Sequence, residues 1–142
     1  MADIIPWEIR LTLRPGSVYY FVDRSLTSSE PHYFIVVNAR PLEQQILILA
    51  VVTSQVEKIR ARRIGFPSTT VEISPSEYDE LNKPSIVDCN VVFRRSLREL
   101  IEKTTRGEIA VKKDLPSGVL TAIKKAIVAS PLVEEETKKL LK

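Results

Sequence analysis

The chain has 142 residues, of which 44% are hydrophobic and 27% charged, proportions that exclude a disordered polymer and suit one globular domain spanning 1–142. A net charge of +3 permits a polyanionic partner without demanding one. One cysteine, Cys89, and one histidine, His32, exclude an intramolecular disulfide and leave no ligand set for a structural zinc ion, so no metal or cofactor is expected.

Met1 to Arg14 is interrupted by Asp3, Pro6, Glu8 and Arg10 and lacks the apolar core of a leader, and the longest apolar run, Ile46 to Val52, is too short to span a bilayer. A cytoplasmic location without membrane attachment is the expectation. Pro15-Gly16 marks a turn before a first strand, Ser17 to Asp23, rich in aromatic and β-branched residues. A polar loop, Arg24 to Pro31, leads to a second strand, His32 to Asn38. Arg40 to Gln45 then forms a hairpin connection to the third strand, Ile46 to Ser54, whose unbroken apolar run predicts burial on both faces.

Lys58, Arg60 and Arg62 alternate and, read as extended chain, point one way. Thr69 to Ile73 is a fourth strand. Ser74-Pro75-Ser76-Glu77 has the form of a capping box and predicts a short helix through about Leu81, stopped by Asn82-Lys83-Pro84. Ser85 to Phe93 reads as a fifth strand in which Cys89 is a small buried hydrophobe and Asp88 and Asn90 share a face. Helical spacing at Leu97, Leu100 and Ile101 suggests a turn or two after it, and Gly107 to Lys112 a last short strand. A one-sided stripe over Pro116 to Ala129 predicts an amphipathic helix, and Ser130-Pro131 starts a final one. The fold expected is α+β: a small, mostly antiparallel, strongly twisted sheet curling towards an open barrel over about 13–112, with a helical C-terminus over about 115–142.

Three constellations could carry chemistry. If the second and third strands are antiparallel neighbours, the start of one lies beside the end of the other, gathering Glu30, His32, Thr53, Ser54 and Gln55. A carboxylate and an imidazole are a usual acid–base pair, and hydroxyls and an amide can hold phosphate oxygens; the same residues are also ordinary polar strand ends. Arg60 and Arg62, with Arg94 and Arg95 after the fifth strand, suit phosphate contacts or are solvated surface. Asp88 and Asn90, polar within an apolar strand, either read a base edge or satisfy neighbouring backbone. The chain has no glycine-rich phosphate loop, nucleophile elbow or metal-ligand spacing.

The ordered set of Pro15-Gly16 and the strand to Asp23, Ser29-Glu30, Phe34 to Asn38, Thr53-Ser54-Gln55, Val87 to Val91 and the closing basic segment and helix resembles the MazF/PemK family of toxin endoribonucleases over roughly 13–129. The resemblance implies an SH3-like barrel, usually a homodimer, that cuts single-stranded RNA without metal by attack of a 2′-hydroxyl on the adjacent phosphate, and that is neutralised by an antitoxin protein. It implies catalytic roles for Glu30, His32 and Thr53, and substrate contacts from Ser54, Gln55, Arg60, Arg62, Asp88, Asn90, Arg94 and Arg95. The family usually has Arg-Pro just before the second strand, and that Arg serves in catalysis; here the positions read His32-Tyr33. Either His32 takes over as acid or charge donor, or the barrel is a non-catalytic module that binds nucleic acid or protein.

Overall fold

The computed structural model describes residues 5–26 and 29–142. Residues 1–4 of the leader reading and 27–28 of the polar loop lie outside the described residues. The described chain forms a seven-stranded sheet in which every pairing is antiparallel: β1 (Val18–Phe21), β2 (His32–Val36), β3 (Ile46–Thr53), β4 (Thr70–Ile73), β5 (Ser85–Asp88), β6 (Phe93–Ser96) and β7 (Ala110–Lys112). The order is β4-β5-β3-β2-β1-β7, with β6 also on β3, so β4 and β7 are left as edges and the sheet does not close.

β3 is central because its run of apolar residues has somewhere to go on both sides. Ile48, Ala50 and Val52 pack with Val18, Ile35 and Val87 under Ile123, Ala126 and Ile127 of α5 (Ser117–Ala129). Leu47 and Leu49, on the opposite face by the two-residue period, pack with Tyr19, Phe34 and Val36. That second core is covered by Ile9 of α1 (Trp7–Thr12) and by Leu97 and Leu100 of α4 (Leu97–Thr105). Ser96 and Glu99 form a reciprocal capping box at the start of α4, which runs for nine residues.

The hairpin between β2 and β3 contains a four-residue helix, α2 (Pro41–Gln44), closed by Gln45 in the left-handed region (φ 57°). Asn38 fixes it: its amide donates to Gln44 Oε1 (2.8 Å) and Ile46 O (2.7 Å), and its Oδ1 accepts the Ile48 N–H (3.0 Å). The C-terminus closes over the same hairpin. Helix α6 (Glu135–Lys139) begins four residues later than Pro131 suggested; Val133 and Leu141, on either side of it, are buried in the α5-side core, and Leu140 O accepts the Ala39 N–H.

Three expectations are overturned. The segment Lys58 to Arg62 is helical, not extended: α3 (Val56–Arg62) places Val56 and the buried Ile59 three residues apart, a helical spacing within the charged run. Ser74 to Leu81 makes only half of the predicted capping box, the Ser74 N–H donating to Glu77 Oε1 (3.0 Å) while the Glu77 N–H goes to the Ser74 carbonyl, and it forms turns, not a helix. Tyr78 and Leu81 are drawn into the core, and the Glu80 carbonyl, which a longer helix would bond to the N–H of residue 84, meets Pro84 there; the Tyr33 hydroxyl donates to it instead (3.0 Å).

The expected fifth strand is two strands with a turn between them. β5 pairs Val87 with Val52, whereas β6 pairs Phe93 with Leu49. Six residues advance along one strand while three advance along the other, so three extra residues loop out across 88–92. The odd number reverses the side that β6 presents. Val87 faces the α5-side core with Val52, and Phe93 faces the other core with Leu49.

Candidate active site

The register of β2 on β3, with Tyr33 opposite Val52, brings the start of β2 beside the end of β3. An open cleft of about 300 Å³ lies at that rim, lined by Glu30, His32, Thr53, Ser54 and Gln55 together with Tyr20, Tyr33, Asn82, Lys83 and Ser85. The five polar residues singled out from the two strand ends therefore share one surface. His32 Nδ1 lies 3.0 Å from the Glu30 carbonyl oxygen. A carbonyl only accepts, so in this contact Nδ1 is the donor, which leaves Nε2 as the acceptor nitrogen of the neutral ring. Thr53 Oγ1 accepts the Gln55 N–H (3.2 Å), which leaves its own hydroxyl hydrogen available to another acceptor.

Tyr20 and Tyr33, cross-strand partners on β1 and β2, form an aromatic pair in the cleft with ring centroids 4.6 Å apart. Lys112 Nζ sits 5.4 Å from the Tyr20 ring centroid. Burial raises the Tyr33 phenol above its ordinary value, and its hydroxyl is committed to Glu80 O. The opposite wall is the loop 79–84, anchored by Leu81 in the core, by the Lys113 N–H on Glu80 Oε2 (2.9 Å) and by Lys113 Nζ on Asp79 (2.7 Å). Tyr20, Tyr33, Asn82, Lys83 and Ser85 were not singled out from the sequence. The two tyrosines were legible only as strand residues, and Lys83 as part of a helix stop.

The remaining candidates stand elsewhere. Arg60 is held by Glu72 through two hydrogen bonds and by Glu57, and Arg62 is exposed at the end of α3; neither lines the cleft. Asp88 and Asn90 are buried and do not line the cleft. Asp88 accepts from Arg63 (3.0 Å), and although burial works against its ionisation, the hydrogen bonds from Arg63 and Asn90 hold the carboxyl below its usual range. The Asn90 amide donates to Thr69 Oγ1 and Asp88 Oδ1 (both 2.8 Å), and its Oδ1 accepts from Ser130 Oγ (2.6 Å). The pair thus ties the turn after β5 to the end of α5.

Arg94 and Arg95 line a different and larger cavity, about 630 Å³, together with Asp23, Arg24 and Lys103. Arg94 pairs with Ile48, five residues of strand, or roughly 16 Å, from Thr53. Arg95 is clamped on Asp23. Neither lines the cleft. Among the described residues no group of three or more His, Cys, Asp or Glu is placed to hold a metal ion, and no helix is long and apolar enough to cross a membrane.

No family model and no curated protein sequence matches the chain. Among solved structures it is similar to an endoribonuclease in complex with its cognate antitoxin from a mycobacterial species, at 14% identity and a TM-score of 0.54, covering 84% of this chain and 94% of that one. It is also similar to the Mycobacterium tuberculosis toxin MazF-mt6, at 12% identity and a TM-score of 0.54, covering 83% of this chain and 98% of the toxin. At such identities the likeness is one of architecture, and over nearly the whole of those two chains this protein has the fold of the MazF-type toxin structures.

Proposed function

We propose that this protein is a toxin-like endoribonuclease that cuts single-stranded RNA without a metal ion, acts in the cytoplasm as a homodimer, and is neutralised by an antitoxin protein. The observation that carries the reading is the meeting of Glu30, His32, Thr53 and Ser54 in one cleft from two segments far apart in sequence. A neighbour in structure is an endoribonuclease bound to its antitoxin, which supports the partner; the homodimer rests on the family resemblance.

The chemistry follows from the groups present. The Glu30 carboxylate takes the proton of a ribose 2′-hydroxyl as its oxygen attacks the adjacent phosphorus. The bond from phosphorus to the 5′-oxygen breaks, its electron pair goes to that oxygen, and the protonated His32 Nε2 delivers a proton there. The products are a 2′,3′-cyclic phosphate and a 5′-hydroxyl. Thr53 and Ser54 hydroxyls donate to the non-bridging oxygens as negative charge builds on them. The Tyr20–Tyr33 pair offers an aromatic surface for an unstacked base, a contact open only to single strands.

The test is incubation of the purified protein with mixed-sequence single-stranded RNA in chelator, with analysis of the new ends. Cyclic phosphate at the 3′ side of each cut is the expected result. RNA that is bound but never cut, at any protein concentration, would leave the barrel as a binding module.

A further inference from the structure

A pentavalent phosphate formed in the cleft carries more negative charge than the RNA it comes from, and two hydroxyls and an imidazole supply little fixed positive charge against it. The arginines that the sequence offered are committed or remote. Arg60 is bound to Glu57 and Glu72 and Arg95 to Asp23, Arg62 is exposed at the end of α3 and does not line the cleft, and Arg94 lies at the far end of β3. Lys83 is different. It is the one Lys or Arg that lines the cleft, it is exposed, and its ammonium has no hydrogen-bond or ion-pair partner among the described residues.

Its backbone is held in place. Leu81 is buried two residues before it, Ser85 Oγ donates to the Lys83 carbonyl (3.1 Å), and Ser85 opens β5, which is paired with both β4 and β3. The Glu80 carbonyl and carboxylate are each bonded to another segment, by Tyr33 and by Lys113. A lysine is a compact point charge on a flexible stem, and tethering the stem at a fixed loop leaves Nζ to swing over the cleft. Ile86, three residues on, is opposite Thr53, so the loop that carries Lys83 enters β5 beside the end of β3, and Lys83 and Thr53 both line the cleft.

We propose that Lys83 is the phosphate-binding cation of this cleft, contacting the non-bridging oxygens of the scissile phosphate and stabilising the charge that develops on them. The inference rests on the endoribonuclease reading, and its test separates the two.

Cleavage of single-stranded RNA is measured for wild type, Lys83→Met, Lys83→Arg and, as an equal loss of charge outside the cleft, Lys125→Met. Binding of a 2′-deoxy oligonucleotide, which cannot be cut by this route, is measured for the same proteins over a range of salt. Lys83→Met should lower kcat by about 10²-fold, Lys83→Arg should recover most of it, and Lys125→Met should cut as wild type does. The log–log salt slope of binding should fall by about 0.7 in Lys83→Met and stay unchanged in Lys125→Met. Thermal unfolding midpoints matching wild type show that lost activity is not lost fold. If wild type cuts RNA and Lys83→Met cuts equally well, the role assigned to Lys83 is wrong and the nuclease reading stands. If wild type cuts nothing, the nuclease reading falls, and an unchanged salt slope in Lys83→Met removes Lys83 from phosphate binding as well.

Discussion

Asp23 and Arg95, 72 residues apart in sequence, meet in a two-pronged ion pair: Arg95 Nε donates to Asp23 Oδ2 (3.0 Å) and Nη2 to Oδ1 (2.8 Å). The Asp23 side chain is only 5% exposed, and Ser25 adds bonds from its N–H and its hydroxyl. Burial alone would raise this carboxyl, but the bonds from Arg95 and Ser25 outweigh it and hold the group far below the usual carboxylate range. A depressed folded value stabilises the protein at pH above the unfolded value, near 4, and the contribution drains away as pH falls below it. Asp23→Asn should cost about 2–4 kcal/mol at pH 7 and flatten the acid limb of stability between about pH 5 and 2, as read by urea unfolding across that range.

The Asn90 side chain joins three segments through Thr69, Asp88 and Ser130. Removing either end of the Ser130–Asn90 bond leaves a buried polar atom without its partner. Ser130→Ala and Asn90→Ala should each destabilise by about 1–3 kcal/mol. The double variant should lose less than the sum, with a coupling of at least about 0.5 kcal/mol in chemical denaturation. Strict additivity would show that the two side chains do not act on each other.

Within the cleft, Glu30→Gln and His32→Ala should each lower kcat for RNA cleavage by about 10²–10⁴-fold while oligonucleotide affinity changes by less than tenfold. Thr53→Ala should lower it by about 10²-fold or more. Gel-based cleavage and fluorescence anisotropy separate the two effects. A His32→Ala protein that cuts at the wild-type rate would remove the imidazole from the reaction.

Cys89 is fully buried, and desolvation pushes its thiol up to about 12, with the Asp88 charge adding in the same direction. The thiolate is the reactive form, so at pH 8 the folded protein should modify with an aromatic disulfide reagent at least 10²-fold more slowly than the urea-unfolded chain. Equal rates would mean that this region opens readily.

Truncation after Ser130 removes Val133 and Leu141 from the core and uncovers the hairpin that carries Asn38 and Gln44. Two buried aliphatic side chains stabilise by about 1.5–3 kcal/mol each, so the shortened chain should lose about 3–6 kcal/mol in urea unfolding. A chain of unchanged stability would assign the last segment to something other than packing.

The cleft was legible from β2 and β3 because register is a local matter. A short hairpin makes antiparallel neighbours, and the seven-residue apolar run, Ile46 to Val52, carries the third strand back to the start of the second, which fixes the ends that meet. What it could not give was anything set by distant partners. Arg60 and Arg62 alternate as well as any strand, yet Val56 and Ile59 make the run helical by burying one side of it. Asp88 and Asn90 look like a polar stripe for a ligand until Arg63 and Ser130, from other parts of the chain, occupy them. Lys83 shows no pattern at all, since its place in the cleft follows from the anchoring of Glu80, Leu81 and Ser85 around it.

The odd slip between β5 and β6 limits how β6 can slide along β3. A one-residue shift in that pairing would turn β6 over, presenting Arg94 to the core and Phe93 to water. Register errors at this pairing are therefore heavily penalised unless they come in steps of two.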